Sequence, residues 1–321
     1  MDKRLVFGMD IGGTRTKYGI VDLSKHQVLV SQTQLTETGG QAAFVGAAGK
    51  AARELSGRVG LHLDEINAGG VGVPGYVDGD QVSLVWESIA FIEGTALRSA
   101  LQEELGFPIR LDNDGRAAAM GEAYFGGYTV DSKVGPPRRL LSMTLGTGVG
   151  VALVVDGRLL EKSSISHLAG HIPIRPGGGP CFCGFSGCLE SLASGPGLVR
   201  NFAHFSQVRP GGGQTQLDAR GIFDLAIRGH SEANQAVKQL LDDLIVGLNA
   251  YIFLYGPDVI VLGGGLSNSL SPWLPVIRQG VFACPYDGYQ VKVSVSNLGE
   301  QAGLYGAASL WKADTNLPDC L

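Results

Sequence analysis

Apolar residues along this chain come in short runs that stop at glycine. Arg4–Met9 reads as a strand and ends in Asp10-Ile11-Gly12-Gly13-Thr14. Further strands are expected over Lys17–Asp22 and around Gln27–Gln34. Ala42–Leu55 repeats small and apolar residues at helical spacing. Gly70–Val73 reads as a buried strand and stops at Pro74-Gly75. Thr95–Leu105 has a helical pattern, and Ile109–Leu111 is a brief strand before Asp112-Asn113-Asp114. Ala117–Tyr124 is expected to be a helix.

The same order then starts again. Leu140–Leu145 is a strand ending in Gly146-Thr147-Gly148, with Gly150–Val155 as its hairpin partner. Apolar residues recur through Ala236–Leu254 at helical spacing, which predicts a long buried helix. Asp258–Leu262 reads as a parallel-type strand ending in Gly263-Gly264-Gly265, and a last helix is expected from about Gly303 to Trp311. Gln207–Gln216, with three consecutive glycines, reads as a mobile loop. This alternation defines an α/β protein, and the length makes two domains the default.

The repeated unit is a strand, a Gly/Thr turn and a second strand. Such a hairpin can offer backbone N–H groups and a Thr hydroxyl to an anion, and two facing each other would form a phosphate clamp. It is not a dinucleotide fingerprint, which leads from strand into helix, and there is no G-x-x-x-x-G-K-[ST] loop.

Composition adds exclusions. A formal net charge of −5 argues against broad nucleic-acid binding. The most apolar stretch is broken by Thr and Gly, so no membrane span is expected. The N-terminal residues go from charge straight into a strand pattern with no apolar leader core, and a cytoplasmic location is expected. The chain has 49 glycines, clustered at the ends of apolar runs, where backbone must approach something closely.

Cysteine usage points to a metal. Three of the five cysteines fall in one short segment with a histidine upstream: His171, Cys181, Cys183 and Cys188. Four soft ligands suit a closed tetrahedral zinc site, against the plainer reading of three reduced thiols. Glu190 follows with a side chain that such a metal would not use. Cys284 and Cys320 stand apart and are expected to be inert.

In order and spacing, DIGGT at 10–14, GVPG at 72–75, Asn113-Asp114, GTGVG at 146–150, Gly170-His171, CFCGFSGCLE at 181–190 and VIVLGGG at 259–265 resemble the ROK family. That family holds bacterial sugar kinases and related sugar-responsive repressors of the actin/hexokinase-like superfamily. The resemblance runs from Leu5 to about Trp311. It implies two ribonuclease-H-like α/β domains flanking a cleft: 1–116 with 300–321, and 117–299.

ATP is implied as the donor, with polyphosphate as an alternative within the family. Asp10, Gly12, Gly13 and Thr14 would hold phosphates together with Gly146, Thr147 and Gly148. Gly263, Gly264 and Gly265 would lie near the adenosine, and Asp10 would act through Mg²⁺, which prefers oxygen ligands. Asp114 matches the family's catalytic base for the hydroxyl, expected to be the 6-OH of a hexose. Gly75, Asn113, His171 and Glu190 resemble sugar contacts, with zinc as a structural staple. Asp112 is expected to be a solvated neighbour. A homodimer is implied, with a sugar and ATP as the small-molecule partners.

Three positions depart from the pattern. The family's Glu-x-Gly-His is here Leu168-Ala169-Gly170-His171. Arg116 stands where an Asn is common two residues after the base. Ser83–Phe91 lacks an expected Asn, and Ser88 is taken as its substitute. A pocket missing such partners should bind plain glucose poorly. A non-catalytic sugar or nucleotide sensor is the alternative reading. A repressor is disfavoured, because those members carry a helix-turn-helix ahead of the first phosphate turn, for which Asp10 leaves no room.

Overall fold

A computed structural model describes residues 4–83, 87–130, 135–160, 166–207, 217–281 and 289–312. In chain order its elements are β1 (Leu5–Ile11), β2 (Arg15–Asp22), β3 (Gln27–Leu35), α1 (Gln41–Arg58), β4 (Ala68–Val73), β5 (Tyr76–Asp78), β6 (Gln81–Ser83), α2 (Leu97–Leu105), β7 (Ile109–Asn113) and α3 (Asp114–Phe125). These are followed by β8 (Arg139–Leu145), β9 (Val149–Val155), β10 (Arg158–Leu159), α4 (Leu189–Ala193), α5 (Gly195–Ser206), α6 (Ala219–Ile227) and α7 (Ser231–Tyr255). The last elements are β11 (Val259–Gly263), α8 (Ser267–Leu270), α9 (Leu274–Val281), β12 (Lys292–Val295) and α10 (Ala302–Ser309). Two five-stranded sheets result, ordered β3-β2-β1-β4-β7 and β10-β9-β8-β11-β12. The chain divides into two units, Met1–Gly127 with Ala152–His167 and Asn297–Leu321, and Tyr128–Val151 with Leu168–Ser296.

In the first unit β1 pairs antiparallel with β2 and parallel with β4. All six residues of β4, AGGVGV, are buried, as a parallel strand covered on both faces must be. Alternation along β1 splits its side chains between the two faces. Phe7 and Met9 pack with Phe44, Ala48 and Leu55 of α1 and Leu101 of α2. Val6 packs instead with Leu304 and Ala308 of α10. Missing side chains let α10 lie this close. A Cβ on Gly70 would sit 1.9 Å from the Ala307 carbonyl oxygen, and one on Gly121 would sit 2.7 Å from the Gly306 nitrogen. Part of the high glycine content is therefore helix-to-sheet and helix-to-helix packing.

In the second unit β11 pairs parallel with β8 and β12, and all five of its residues are buried. The long helix α7 buries Ala236, Val237, Leu240, Leu244, Leu248, Tyr251 and Ile252. It ends at Gly256 in the left-handed conformation, φ 51°, the usual glycine stop.

Several boundaries differ from the sequence reading. Helix α3 starts at Asp114, not Ala117, because the Asn113 side chain caps it by accepting the Arg116 N–H at 3.2 Å. Strand β7 accordingly continues to Asn113. Helix α7 starts at Ser231, before its apolar stripe begins, and α10 stops at Ser309. Within the predicted mobile loop only Gln207 is described; residues 208–216, like Cys284 and Cys320, lie outside the described residues. No helix among the described residues is long and apolar enough to cross a membrane.

Candidate active site

In the first unit the turn between β1 and β2 is closed by the Gly12 N–H donating to the Arg15 carbonyl at 3.0 Å. Thr36, just past β3, supports it from beneath. Its hydroxyl donates to the Gly12 carbonyl at 2.7 Å and lies 3.0 Å from the Thr16 hydroxyl, and its N–H donates to the Thr14 carbonyl at 3.0 Å. Thr16 and Thr36 are buried, so these bonds are shielded from competing water. Asp10 stands beside Gly72 of β4 and Lys17 of β2 in the sheet register. Gly303, in the first turn of α10, leaves it room: a Cβ there would fall 2.0 Å from Asp10 Oδ2.

Asp114 opens α3 directly after β7, and its Oδ1 accepts the Gly115 N–H at 2.8 Å. Asn113 uses its amide in two directions, capping α3 through Oδ1 and donating from Nδ2 to the Gly75 carbonyl at 3.0 Å. The same amide also favours the charged form of the neighbouring Asp114 carboxyl by hydrogen bonding. Gly75 itself has φ 121°, a conformation that favours glycine.

Asp112 is not the solvated neighbour expected. It is buried and pairs with buried Arg116, whose Nε donates to Asp112 Oδ1 at 2.9 Å. The same oxygen accepts the Asn113 N–H at 2.8 Å, and Arg116 Nη1 donates to the Leu160 carbonyl at 3.2 Å. The i, i+4 spacing brings the two charges together, and the pair ties down the β7–α3 junction that carries Asp114.

Asp114 acts on Asp10 through its charge. Burial first, and then the nearby Asp114 carboxyl, raises Asp10 from 3.8 to about 6, with Lys17 opposing. Burial also raises Asp114, against the hydrogen bond from the Gly115 N–H. The sign for stability follows from linkage. The folded state holds a proton on Asp10 between about pH 4 and about pH 6 where the unfolded chain does not, so this contribution is present below about 4 and lost as pH rises through about 6. In magnesium-free protein, the unfolding midpoint of the wild type should fall relative to Asp10→Asn across that interval. Parallel pH curves would contradict the assignment.

In the second unit, the β8–β9 turn is closed by the Gly146 N–H donating to the Gly148 carbonyl at 3.0 Å, while the Gly195 N–H donates to the Gly146 carbonyl at 2.8 Å. The glycines ending β11 lie against the strand entering this turn. Gly264, at φ 83°, has room for no side chain, since a Cβ would sit 2.5 Å from the Leu145 carbonyl oxygen. Two glycine segments far apart in sequence thus share one backbone neighbourhood.

The segment 171–190 folds on itself. Ile174 N–H donates to the Gly187 carbonyl at 2.8 Å, Cys181 N–H to the Phe185 carbonyl at 2.8 Å, and Leu189 N–H to the Ile172 carbonyl at 2.9 Å. These bonds gather His171, Cys181, Cys183 and Cys188, whose ligand atoms all lie within 4.8 Å of one another. His171 Nδ1 is 3.3 Å from Cys181 Sγ, and Cys183 Sγ is 3.6 Å from Cys188 Sγ. Zinc–sulfur arms of about 2.3 Å imply donor–donor edges of about 3.8 Å, so the set fits a tetrahedral metal. Burial, and then the neighbouring thiols, push Cys188 up to about 12, a protonated state that a bound cation would reverse. Glu190, in the first turn of α4, accepts the Val149 N–H at 3.0 Å through Oε2.

The predicted residues therefore fall in two groups. Asp10, Gly12, Gly13, Thr14, Gly75, Asn113 and Asp114 gather at the ends of β1, β4 and β7 in the first unit. Gly146, Thr147, Gly148, His171, Glu190, the three cysteines and Gly263–Gly265 belong to the second. Leu168 is partly buried in a short turn of helix over Ser166–His171. Ser88 falls in a helical turn over Glu87–Ile92, and its side chain is outside the described part of the structure. Sequence reasoning missed Thr36, Gly303 and the Asp112–Arg116 pair. Only the last had a readable signal, the D-x-x-x-R spacing at the start of a helix.

Comparison with known proteins places the chain in a family. The chain is 29% identical to a glucokinase of Thermotoga maritima, covering 97% of this chain and 98% of that protein. It is also 29% identical to an N-acetyl-D-glucosamine kinase of Shigella boydii, covering 97% of this chain and all of that one. The crystal structure of a ROK family glucokinase from Streptomyces griseus in complex with glucose and AMPPNP superposes with a TM-score of 0.76 at 27% identity, over 95% of this chain and 98% of that one. The two-sheet α/β architecture is accordingly that of the actin/hexokinase-like sugar kinases. The ROK family model matches residues 6–314, and the chain belongs to the ROK family.

Proposed function

We propose that this protein is a carbohydrate kinase that transfers the γ-phosphoryl group of ATP to the 6-hydroxyl of a hexose or hexose derivative, with Asp114 as general base. The observation that carries the reading is the state of Asp114. It is a partly buried carboxyl at the first position of a helix, held by the Gly115 N–H and raised from its ordinary value by desolvation. A base in this reaction takes one proton as the hydroxyl oxygen bonds to phosphorus and the bond from phosphorus to the ADP oxygen breaks. A carboxyl raised toward neutrality is better matched to that task than an ordinary aspartate.

ATP is supported by the AMPPNP complex of the Streptomyces griseus relative. Each of the turns at Asp10–Thr14 and Gly146–Gly148 offers backbone N–H groups suited to a phosphate, and Gly263–Gly265 would lie by the adenosine. Asp10 would hold magnesium, which supplies charge neutralisation along the phosphates. A partly buried carboxyl raised further by a second carboxyl suits a nearby cation. Zinc would be held by His171, Cys181, Cys183 and Cys188 as a structural ion that fixes the 171–190 loop.

Relatives at equal identity are named for glucose and for N-acetylglucosamine, so identity does not choose the sugar. Leu168 and Arg116 argue against plain glucose. The first offers no hydrogen bond, and the second is committed to Asp112 and the Leu160 carbonyl. A sugar hydroxyl left unpartnered costs about 1–3 kcal/mol. In a panel of hexoses, amino sugars, deoxy sugars and ketoses, glucose should not have the best kcat/KM. Leu168→Glu should raise kcat/KM for glucose by about 10-fold or more. Glucose as the best substrate of the wild type would overturn this part of the reading.

A further inference from the structure

The two oxygens of Glu190 face different sites. Oε2 accepts the Val149 N–H at 3.0 Å, immediately after the Gly146–Gly148 turn. Oε1 lies 3.7 Å from His171 Nε2, and the other ring nitrogen, Nδ1, lies 3.3 Å from Cys181 Sγ. The glutamate side chain is 13% exposed, so its contacts are shielded. Backbone packing reinforces the link. A Cβ on Gly148 would come 2.6 Å from Glu190 Oε2, and one on Gly170, the residue before His171, would come 1.8 Å from the Val149 carbonyl oxygen. The turn is thus gripped at one end by the Gly146-to-Gly148 bond and at the other by Glu190.

We propose that Glu190 is a positioning residue through which the His171–cysteine cluster sets the shape of the Gly146–Gly148 turn. A metal at the cluster and a nucleotide phosphate at the turn then bind with positive coupling. The inference rests on the reading that this turn takes the phosphates. Its physical basis is the imidazole tautomer. With Nδ1 on a metal, the ring hydrogen sits on Nε2 and points its positive end toward the Glu190 carboxylate. Without the metal the ring is free to adopt the other tautomer, which faces Glu190 with a lone pair. The carboxylate then loses the positive end that faces Oε1 at 3.7 Å, and with it the alignment that keeps Oε2 on Val149.

The test is calorimetric titration of AMPPNP with magnesium into metal-loaded and chelator-stripped protein, with no sugar present. Glu190→Gln keeps an oxygen for the Val149 N–H but turns an NH₂ donor toward the Nε2–H; Glu190→Ala removes both contacts. Stripping the wild type should weaken AMPPNP binding by about 10-fold, inside the usual coupling range of about 5–150-fold. In both variants the same treatment should change affinity by less than about two-fold. Reciprocity requires AMPPNP to tighten zinc binding to the wild type by the same factor. If stripping unfolds the protein by circular dichroism, the metal-loaded forms decide. Both variants at full metal content should then bind AMPPNP at least about 5-fold more weakly than wild type. Metal-independent affinity in a folded wild type, or an unchanged metal effect in the variants, overturns the coupling and leaves the kinase reading standing. Absence of AMPPNP binding by metal-loaded wild type overturns both.

Discussion

Asp114→Asn is expected to lower kcat by about 10²–10⁴-fold, the usual contribution of a positioned general base. Sugar and nucleotide affinity should change little, because the amide oxygen can still accept the Gly115 N–H that Oδ1 now takes at 2.8 Å. The fold should not suffer either. Burial already opposes the charge on Asp114, so a neutral isostere removes an unfavourable ionisation at neutral pH. Steady-state kinetics beside calorimetric binding would separate the two effects. A variant that retains kcat within a few-fold of wild type would mean that another group takes the proton.

Asp112→Ala should instead be felt in stability. Asp112 and Arg116 are each 8% exposed, and removing the carboxylate leaves a buried guanidinium facing the Leu160 carbonyl alone. Breaking a buried pair from one side costs about 3–5 kcal/mol. The Asn113 N–H loses its acceptor as well, so the junction carrying Asp114 should loosen. Replacing both partners, Asp112→Ala with Arg116→Met, should recover much of the loss, since no charge is then stranded. Denaturant midpoints of the two single variants and the double variant give the measurement. A loss below about 1 kcal/mol for Asp112→Ala would show that the pair is effectively solvated.

Much of the framework was legible because it rests on local pattern. Apolar runs that stop at glycine fell on β1, β4, β8 and β11, since a strand covered on both faces must be apolar throughout. The cysteine segment stood out by residue type and spacing, whereas Asn113-Asp114 drew notice only through the family resemblance, since such a pair after a strand is usually a turn. What escaped was decided by tertiary contact. Thr36 reaches the Gly12 carbonyl across 24 residues of chain, and nothing in its neighbourhood signals that role. Gly303 matters only because α10 returns to the end of β1 and leaves Asp10 its space. The start of α3 was misplaced because a side-chain cap, not hydrophobic periodicity, sets it. Glu190 was expected as a sugar contact through the family resemblance, and its bond to the β8–β9 turn had no signal in the sequence.

If this ROK family member phosphorylates a sugar with Asp114 as its base, product formation must depend on both the sugar and that carboxylate. The most direct measurement follows ADP and sugar phosphate together in metal-loaded protein with ATP and magnesium across a sugar panel. Turnover should be saturable and sugar-dependent, yield one sugar 6-phosphate for each ADP, and nearly vanish in Asp114→Asn. Wild-type protein that releases no ADP in response to any sugar, or that works equally well as Asp114→Asn, would contradict it.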